Sequence, residues 1–238
     1  MTDPAPVLVI GHTPDLALGT LTRAAVHSGA RLRVVRPCQG EALPPVEHVR
    51  GAIVLGGPQS AHATDVPYLD AEKSFIAAAH AAGLPTLAIC LGSQLAAEAL
   101  GGTARPGQGL EVGFIDVLAV DDAGTGLAGN YFSLHSDTMD PPVGAKVLAV
   151  SDRYVQAWRH GAVLAIQFHP DLDRDGITTV LAHETQKLTA AGVDVGPILR
   201  ELETVDVSPG RRLITSWLRS LPLGASRNDP TALDPCPR

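Results

Sequence analysis

Cys90 stands where an apolar, strand-like run gives way to a helical pattern, a position that suits a nucleophilic thiol. Residues 87–89 are typical of a short buried strand, Gly92 permits a tight turn, and residues 94–100 continue as an Ala/Leu/Glu-rich helix. Such an elbow holds the side chain near the helix N-terminus, where unpaired amides favour the thiolate. The spacing therefore predicts nucleophilic chemistry at Cys90, while a buried small hydrophobic residue is the alternative interpretation.

A second apolar run delivers a histidine and a carboxylate. Residues 163–168 are strand-like, His169 follows them, and Asp171 comes two residues later. A histidine beside a thiol can accept its proton and later protonate a leaving amine, and an aspartate can fix the imidazole tautomer and stabilise its charged form. The pair supplies what a cysteine nucleophile needs, although a histidine at a strand end also occurs without a catalytic role.

A third apolar run, residues 52–55, ends at Gly56-Gly57-Pro58. The N–H groups of glycines can approach a developing oxyanion because no side chain stands in the way. Taken alone, Gly-Gly-Pro indicates only a turn. Beside a cysteine nucleophile, the same loop would supply oxyanion donors.

These segments together resemble the class I, triad-type glutamine amidotransferase family. Its nucleophile signature Cys-Leu-Gly-x-Gln is similar to residues 90–94, its His-Pro-Glu to residues 169–171, and its oxyanion strand to residues 56–58. Residues 109–113, 134–141 and 154–158 resemble motifs of the subgroup that contains the glutaminase domain of GMP synthetase. The agreement runs in order from about residue 7 to residue 221, which makes it far more specific than any single motif.

The resemblance implies roles for particular residues. Cys90 would be the nucleophile, His169 the acid and base, and Asp171 the orienting carboxylate in place of the family's usual Glu. Because an aspartate side chain is shorter, it has to come closer to the imidazole. The backbone N–H groups of Gly57 and Leu91 would form the oxyanion hole. The residues expected to bind the substrate are Gly56, Gln94, His135, Ser136 and Asp137.

The implied reaction is hydrolysis of the side-chain amide of L-glutamine through a cysteine thioester. The sequence holds no Gly-x-x-x-x-Gly-Lys-Ser/Thr phosphate loop, so we expect the ammonia to pass to a separate synthase partner. A γ-glutamyl peptide or amide hydrolase with the same triad is the alternative, and a wider pocket near Ser133 and Met139 would favour it. The third hypothesis is a catalytically silent regulatory or binding homologue, supported only by Asp171.

The composition limits the classes of protein to which the chain can belong. With 238 residues and 45% hydrophobic content, it can form one large α/β domain. The formal net charge of −7 argues against a nucleic-acid surface. No apolar run reaches the roughly 18–20 residues of a membrane span, and the first residues lack the layout of a signal peptide. We therefore expect a cytoplasmic protein with no membrane partner.

The remaining metal-ligating residue types are scattered. Cys38, Cys90 and Cys236 form an odd set, unlike a disulfide framework or a zinc site, so we expect no metal or other cofactor. Four histidines are likewise interpreted as surface residues rather than ligands: His12, His62, His80 and His183.

Alternating strand-like and helical patterns predict an α/β fold with a doubly wound, mostly parallel sheet flanked by helices. The resemblance narrows this fold to the flavodoxin-like form of the family. Strands are predicted at Val7–Ile10, Leu32–Val35, 52–55 and 87–89, and helices at 16–28, 69–82, 94–100, 177–191 and 213–221. Residues 37–45 are predicted as a loop, and residues 103–166 as antiparallel strands at a sheet edge. We expect one domain over residues 5–222, followed by a disordered tail over residues 223–238.

Overall fold

The computed structural model describes residues 4–222, where strands and helices alternate as the apolar pattern predicts. The strands are β1 (Val7–Ile10), β2 (Leu32–Val35), β3 (Gly51–Val54), β4 (Thr86–Ile89), β5 (Thr103–Ala119), β6 (Gly129–Asp140), β7 (Lys146–Val150), β8 (Val155–His160) and β9 (Val163–Ile166). The helices are α1 (Gly19–Ser28), α2 (Pro67–Ala81), α3 (Leu91–Ala99), α4 (Arg174–His183), α5 (Thr185–Ala190), α6 (Gly196–Leu202) and α7 (Ser208–Ser220). The predicted tail over residues 223–238 lies outside the described residues.

The strands form one mixed sheet in the order β2-β1-β3-β4-β9-β8-β7-β5-β6. The first five strands of this order run parallel, and β8, β7, β5 and β6 extend the sheet with antiparallel pairs. The predicted fold class is thereby confirmed. One part of the predicted antiparallel segment is wrong, since β9 pairs in parallel with β4, with Ile89 opposite Ile166. The carboxyl ends of β3, β4 and β9 consequently lie side by side at one edge of the sheet.

The parallel strands are buried on both faces. Val7 and Val9 of β1 lie in an apolar cluster with side chains of α1 and α7, whereas Leu8 and Ile10 lie in the opposite cluster with side chains of α2 and α3. This division follows from the twofold alternation of side chains along a strand. The sheet therefore holds its strand ends rigidly between two helical layers.

Several helix boundaries differ from the prediction. The helix predicted from residue 16 begins at Gly19, because Leu16 packs instead over Gly11, where an added Cβ would lie 2.4 Å from Cδ1 of Leu16. The last helix begins at Ser208, five residues before its predicted start at residue 213, and Pro209 occupies its first turn, where a missing N–H is tolerated. The helix after Cys90 begins at Leu91, earlier than the predicted residue 94.

The single helix predicted over residues 177–191 is wrong, since α4 and α5 are separated at Glu184. The hydroxyl of Thr185 donates to the carbonyl of Ala182 at 2.8 Å, and such a bond competes with the backbone ladder. A carboxylate oxygen of Asp173 accepts from the N–H of Gly176 at 2.9 Å, which starts α4 before its predicted first residue. Four further elements are absent from the prediction: α6 and three 3-10 turns, over Pro37–Gln39 in the predicted loop, Val46–His48 and Asp122–Leu127. Within residues 4–222, no helix is long and apolar enough to cross a membrane.

Candidate active site

Cys90 occupies a sharp turn between β4 and α3. Its φ of 51° is the only positive φ of a non-glycine residue within residues 4–222. The N–H of Cys90 donates to the carbonyl of Ile166 at 2.8 Å, and the N–H of Gly92 donates to that of Leu55 at 3.2 Å. A Cβ at Gly92 would lie 2.3 Å from the carbonyl oxygen of Val54, so only glycine lets α3 start this close to β3. The strained elbow holds the thiol at the sheet edge, as the sequence predicts.

His169 and Asp171 lie at the same edge. The N–H of His169 donates to the carbonyl of Phe132 at 2.8 Å, which fixes the backbone where β9 ends. Nδ1 of His169 lies 3.1 Å from Oδ1 of Asp171, so the shorter carboxylate does reach the imidazole. A Cβ built on Gly56 would lie 2.8 Å from Cε1 of His169 and 3.3 Å from Cβ of Cys90. The bare backbone of Gly56 therefore faces both the thiol and the imidazole.

The groups around His169 stabilise the protonated form of its imidazole. Burial by itself lowers the pKa of His169, but the negative charges of the Cys90 thiolate and of the Asp171 carboxylate raise that pKa from 6.5 to about 10. Cys90 is 6% exposed and Asp171 5% exposed, so little water screens these charges. The arrangement keeps the imidazole protonated beside the sulfur, so that His169 can serve as a proton donor.

This pKa predicts the alkaline limit of any reaction that uses His169 as an acid. Because the pKa lies above the ordinary value, the protonated imidazole persists through neutral pH and is lost as the pH rises through about 10. We expect kcat/KM to fall above about pH 10, and Asp171→Asn to move this fall to lower pH because one supporting anion is lost. The measurement is kcat/KM between about pH 7 and about pH 11.

Asp173→Asn serves as the matched control. The carboxylate of Asp173 does not contact His169, since it accepts from the N–H of Gly176 and pairs with Arg23. Removing its charge should leave the pH at which kcat/KM falls unchanged. An unchanged fall in Asp171→Asn would show that another group sustains the imidazolium.

The predicted oxyanion donors lie on the two backbone segments that flank the thiol. Leu91 is the first residue of α3, where N–H groups have no acceptor within the helix. Gly57 follows β3 and packs against His12, since an added Cβ would lie 2.5 Å from Cβ of His12. Gly56, Gly57 and Cys90 line the same cavity. Two backbone segments can therefore present amides toward one reacting carbonyl.

The other residues predicted to bind substrate form a separate group. The side-chain amide of Gln94 donates to the backbone carbonyl of Asp137 at 3.0 Å and to Oε1 of Gln167 at 3.3 Å. The carboxylate of Asp137 accepts from the hydroxyl of Ser60 at 2.6 Å. These contacts join α3 to the end of β6. The cavity at Cys90 is lined by Gly56 from the predicted set, but not by Gln94, His135, Ser136 or Asp137.

The buried carboxylate of Glu111, a residue outside the predicted site, holds β6 in place. Oε2 of Glu111 accepts from Nε2 of His135 at 2.9 Å, from Nε2 of Gln156 at 2.8 Å and from the hydroxyl of Ser133 at 3.1 Å. Burial raises the pKa of Glu111, but the donors, His135 first among them, hold it below its ordinary value. The motifs over residues 109–113 and 154–158 were the available signal, because they supply Glu111 and Gln156.

Glu111 and three of its donors, Ser133, His135 and Gln156, form a buried group that we call the Glu111 cluster. Truncation of the Glu111 side chain is expected to cause a large loss of stability. Glu111→Ala leaves several buried donors without an acceptor, so we expect the free energy of unfolding at neutral pH to fall by about 3 kcal/mol or more. The contribution is present above the ordinary pKa of a glutamate and is lost as the pH falls through the lowered value. Urea unfolding at neutral and acidic pH measures both effects.

The exposed Glu203 provides a control for this prediction, and Glu203→Ala should change stability by less than about 0.5 kcal/mol. Equal losses in the two variants would contradict the role given to the cluster.

The cavity at Cys90 has a volume of about 240 Å³ and extends from the triad toward α4 and α5. Its lining includes the buried apolar side chains of Leu55, Leu134 and Leu172. The lining also includes polar and charged side chains that are exposed or half-buried, from the loop before α1 and from the segment that spans α4 and α5: Asp15, His183, Glu184 and Lys187. The width suggested near Ser133 and Met139 is not found, since both are buried, Ser133 against Glu111 and Met139 against Ser93.

The site combines groups from three neighbouring strand ends. The cysteine elbow follows β4, the histidine and the carboxylate follow β9, and the two glycines follow β3. The chain matches the family model "Glutamine amidotransferase class-I" over residues 17–183 and belongs to that family. The resemblance read from the motifs is thereby confirmed.

Individual relatives differ in how much of their length they share with this chain. It is 36% identical over 132 residues to a glutamine-hydrolysing GMP synthase of Pyrobaculum aerophilum, a match that covers 53% of this chain and 25% of the relative. It is 30% identical over 196 residues to the glutamine amidotransferase-like protein YfeJ of Salmonella typhimurium, a match that covers 76% of this chain and 81% of the relative. A glutamine amidotransferase structure from Thermotoga maritima superposes with a TM-score of 0.80 at 26% identity, covering 91% of this chain and 99% of that one. The chain thus spans about a quarter of the GMP synthase that it matches.

Proposed function

We propose that the protein hydrolyses the side-chain amide of L-glutamine to glutamate and ammonia, and that residues 5–222 form the glutaminase domain. The observation that carries the proposal is the contact of Asp171 with His169 at the sheet edge where Cys90 also lies. A buried imidazole with a raised pKa beside a thiol is the arrangement that cysteine amidohydrolysis requires.

The reaction would proceed in two steps. The Cys90 thiolate attacks the amide carbon, the N–H groups of Gly57 and Leu91 hold the oxyanion, and the His169 imidazolium gives its proton to the departing ammonia. A γ-glutamyl thioester remains on Cys90. Neutral His169 then accepts a proton from water as the water attacks the thioester, and glutamate leaves with the thiolate restored.

We also propose where the glutamyl group lies and where the ammonia goes. The residues that would surround the amino-acid end are Gly56, Gln94, His135, Ser136 and Asp137. Gly56 lines the cavity at Cys90, and the other four, which do not line it, are proposed because Gln94 and His135 both hold the backbone carbonyl of Asp137 at the end of β6. The GMP synthase relative is named as glutamine-hydrolysing, and this chain matches a quarter of it. A separate synthase would therefore supply the acceptor of the ammonia.

The shape of the cavity favours a second candidate function. His169 protonates the leaving nitrogen, so an amine larger than ammonia would lie on the His169 side of the site. The cavity that His169 lines is also lined by Leu172 and by the charged residues Glu184 and Lys187. A hydrolase of γ-glutamyl amides or peptides would use this space, with the same residues performing the same two steps.

One comparison separates these functions. Purified protein is incubated with L-glutamine and with γ-glutamyl amides of a small alkyl amine and of a cationic amine, and glutamate release is measured beside Cys90→Ala. Cys90-dependent release from glutamine supports the glutaminase. Release from the larger amides alone supports the γ-glutamyl hydrolase. No Cys90-dependent product from any of them supports the third hypothesis, a silent homologue.

A further inference from the structure

The sequence pattern predicts His12 as a surface residue, and this prediction is wrong, since His12 is buried next to Gly56 and Gly57. Its exposed fraction is 1%, and that of Glu72 on α2 is 0%. Nε2 of His12 lies 2.6 Å from Oε2 of Glu72, and Nδ1 lies 3.1 Å from the carbonyl oxygen of Gly56. The buried carboxyl group of Glu72 thus holds the His12 imidazole against the backbone of Gly56.

The partners of the imidazole determine its protons. A carbonyl oxygen only accepts, so Nδ1 of His12 must donate to Gly56. The Nε2 side shares a proton with the carboxyl group of Glu72, whichever of the two atoms carries it. Because neither group is exposed to water, this contact fixes the orientation of the ring.

The hydrogen bond from His12 to the carbonyl of Gly56 also orients the N–H of Gly57, which belongs to the same peptide unit. The peptide between Gly56 and Gly57 is trans and planar, so the carbonyl of the first and the N–H of the second point in opposite directions. Holding the carbonyl toward His12 therefore aims the N–H of Gly57 away from His12. The backbone of Gly56 already faces Cys90 and His169, as the 3.3 Å and 2.8 Å distances from its added Cβ show.

We propose that His12 is a positioning residue for the oxyanion hole, acting through the carbonyl of Gly56 on the N–H of Gly57. The inference rests on the proposed amide hydrolysis for its chemistry. It also explains why Gly57 is glycine, since a side chain there would collide with His12. Glu72 serves the same end by holding the ring of His12.

Three substitutions at His12 separate positioning from simple support of the fold. In His12→Asn, the side-chain nitrogen of asparagine can take the place of Nδ1 and still donate to Gly56, while the bond to Glu72 is lost. In His12→Gln, the longer amide can reach Glu72 but not Gly56. His12→Ala removes both contacts. All three variants lose stability, so unfolding curves confirm that each is folded at the assay temperature.

We expect kcat in His12→Gln and His12→Ala to fall by about 10- to 100-fold, with KM changed by less than about threefold, because an oxyanion donor acts mainly on the transition state. His12→Asn should retain kcat within about fivefold of the wild type. Equal losses of kcat in all three folded variants, or a wild-type kcat in His12→Ala, would overturn the proposal.

A second readout does not depend on activity. In two-dimensional NMR of protein labelled with ¹⁵N-glycine, the Gly57 amide should give one sharp signal in the wild type and in His12→Asn. It should shift or broaden in His12→Gln and His12→Ala. An unchanged Gly57 signal in His12→Ala overturns the positioning role even if the protein hydrolyses no amide, whereas an inactive wild type with the expected NMR pattern contradicts only the proposed function.

Discussion

Cys90→Ala is expected to lower the rate of glutamate release from its substrate by about 10⁴-fold or more, because no other atom in the site can form the thioester. The side chain is 6% exposed and alanine retains its Cβ, so the variant should remain folded, with a free energy of unfolding within about 1.5 kcal/mol of the wild type. Steady-state kinetics and urea unfolding of the two proteins measure the separate effects.

Cys38→Ala is the matched control for this variant. Cys38 is the other free cysteine of the described residues and lies half-buried near the carbonyl of Gly11. We expect this variant to keep wild-type turnover. Turnover that survives in Cys90→Ala and disappears in Cys38→Ala would show that Cys38, and not Cys90, is the nucleophile.

Gly56→Ala is expected to lower kcat by about 10³-fold, because one added carbon enters the space between the reacting groups. The new Cβ would lie 2.8 Å from Cε1 of His169 and 3.3 Å from Cβ of Cys90, and real Cβ atoms do not approach other atoms as closely as the first distance. Either the imidazole or the glycine loop has to move. Both movements spoil the geometry in which thiolate, imidazolium and oxyanion donors meet one carbon.

Gly126→Ala makes the same chemical change where there is open space, since no atom lies within 4 Å of an added Cβ. Its turnover should equal that of the wild type. A Gly56→Ala variant as active as Gly126→Ala would mean that His169 and Cys90 do not react across Gly56.

Much of the site could be predicted because it is local to three strand ends. Cys90, His169 and Gly56 each follow an apolar run directly, and the carboxyl ends of parallel neighbours meet at one sheet edge. Continuous apolar runs likewise predict that the parallel strands are buried on both faces of the sheet. What local patterns could not show is that β9 joins β4, because this pairing brings together strands about 75 residues apart along the chain.

The features that were missed depend on contacts distant in sequence. The buried His12 is hydrogen-bonded to Glu72, 60 residues away, and no pattern around residue 12 indicates this partner. Glu111 gathers donors from three later segments in the same way. The separation of α4 from α5 coincides with a hydrogen bond from the hydroxyl of Thr185 to a carbonyl of the preceding turn, a contact that leaves the apolar periodicity unchanged.

The most direct test of the account is to look for the γ-glutamyl thioester on Cys90. Protein mixed with L-glutamine, or with the γ-glutamyl amide that it hydrolyses fastest, is quenched in acid within one turnover and mapped by peptide mass spectrometry. We predict a γ-glutamyl adduct on the peptide that contains Cys90, lost as glutamate is released and absent from Cys90→Ala. Glutamate release with the adduct on another residue, or no adduct and no release with any of these compounds, would contradict the account.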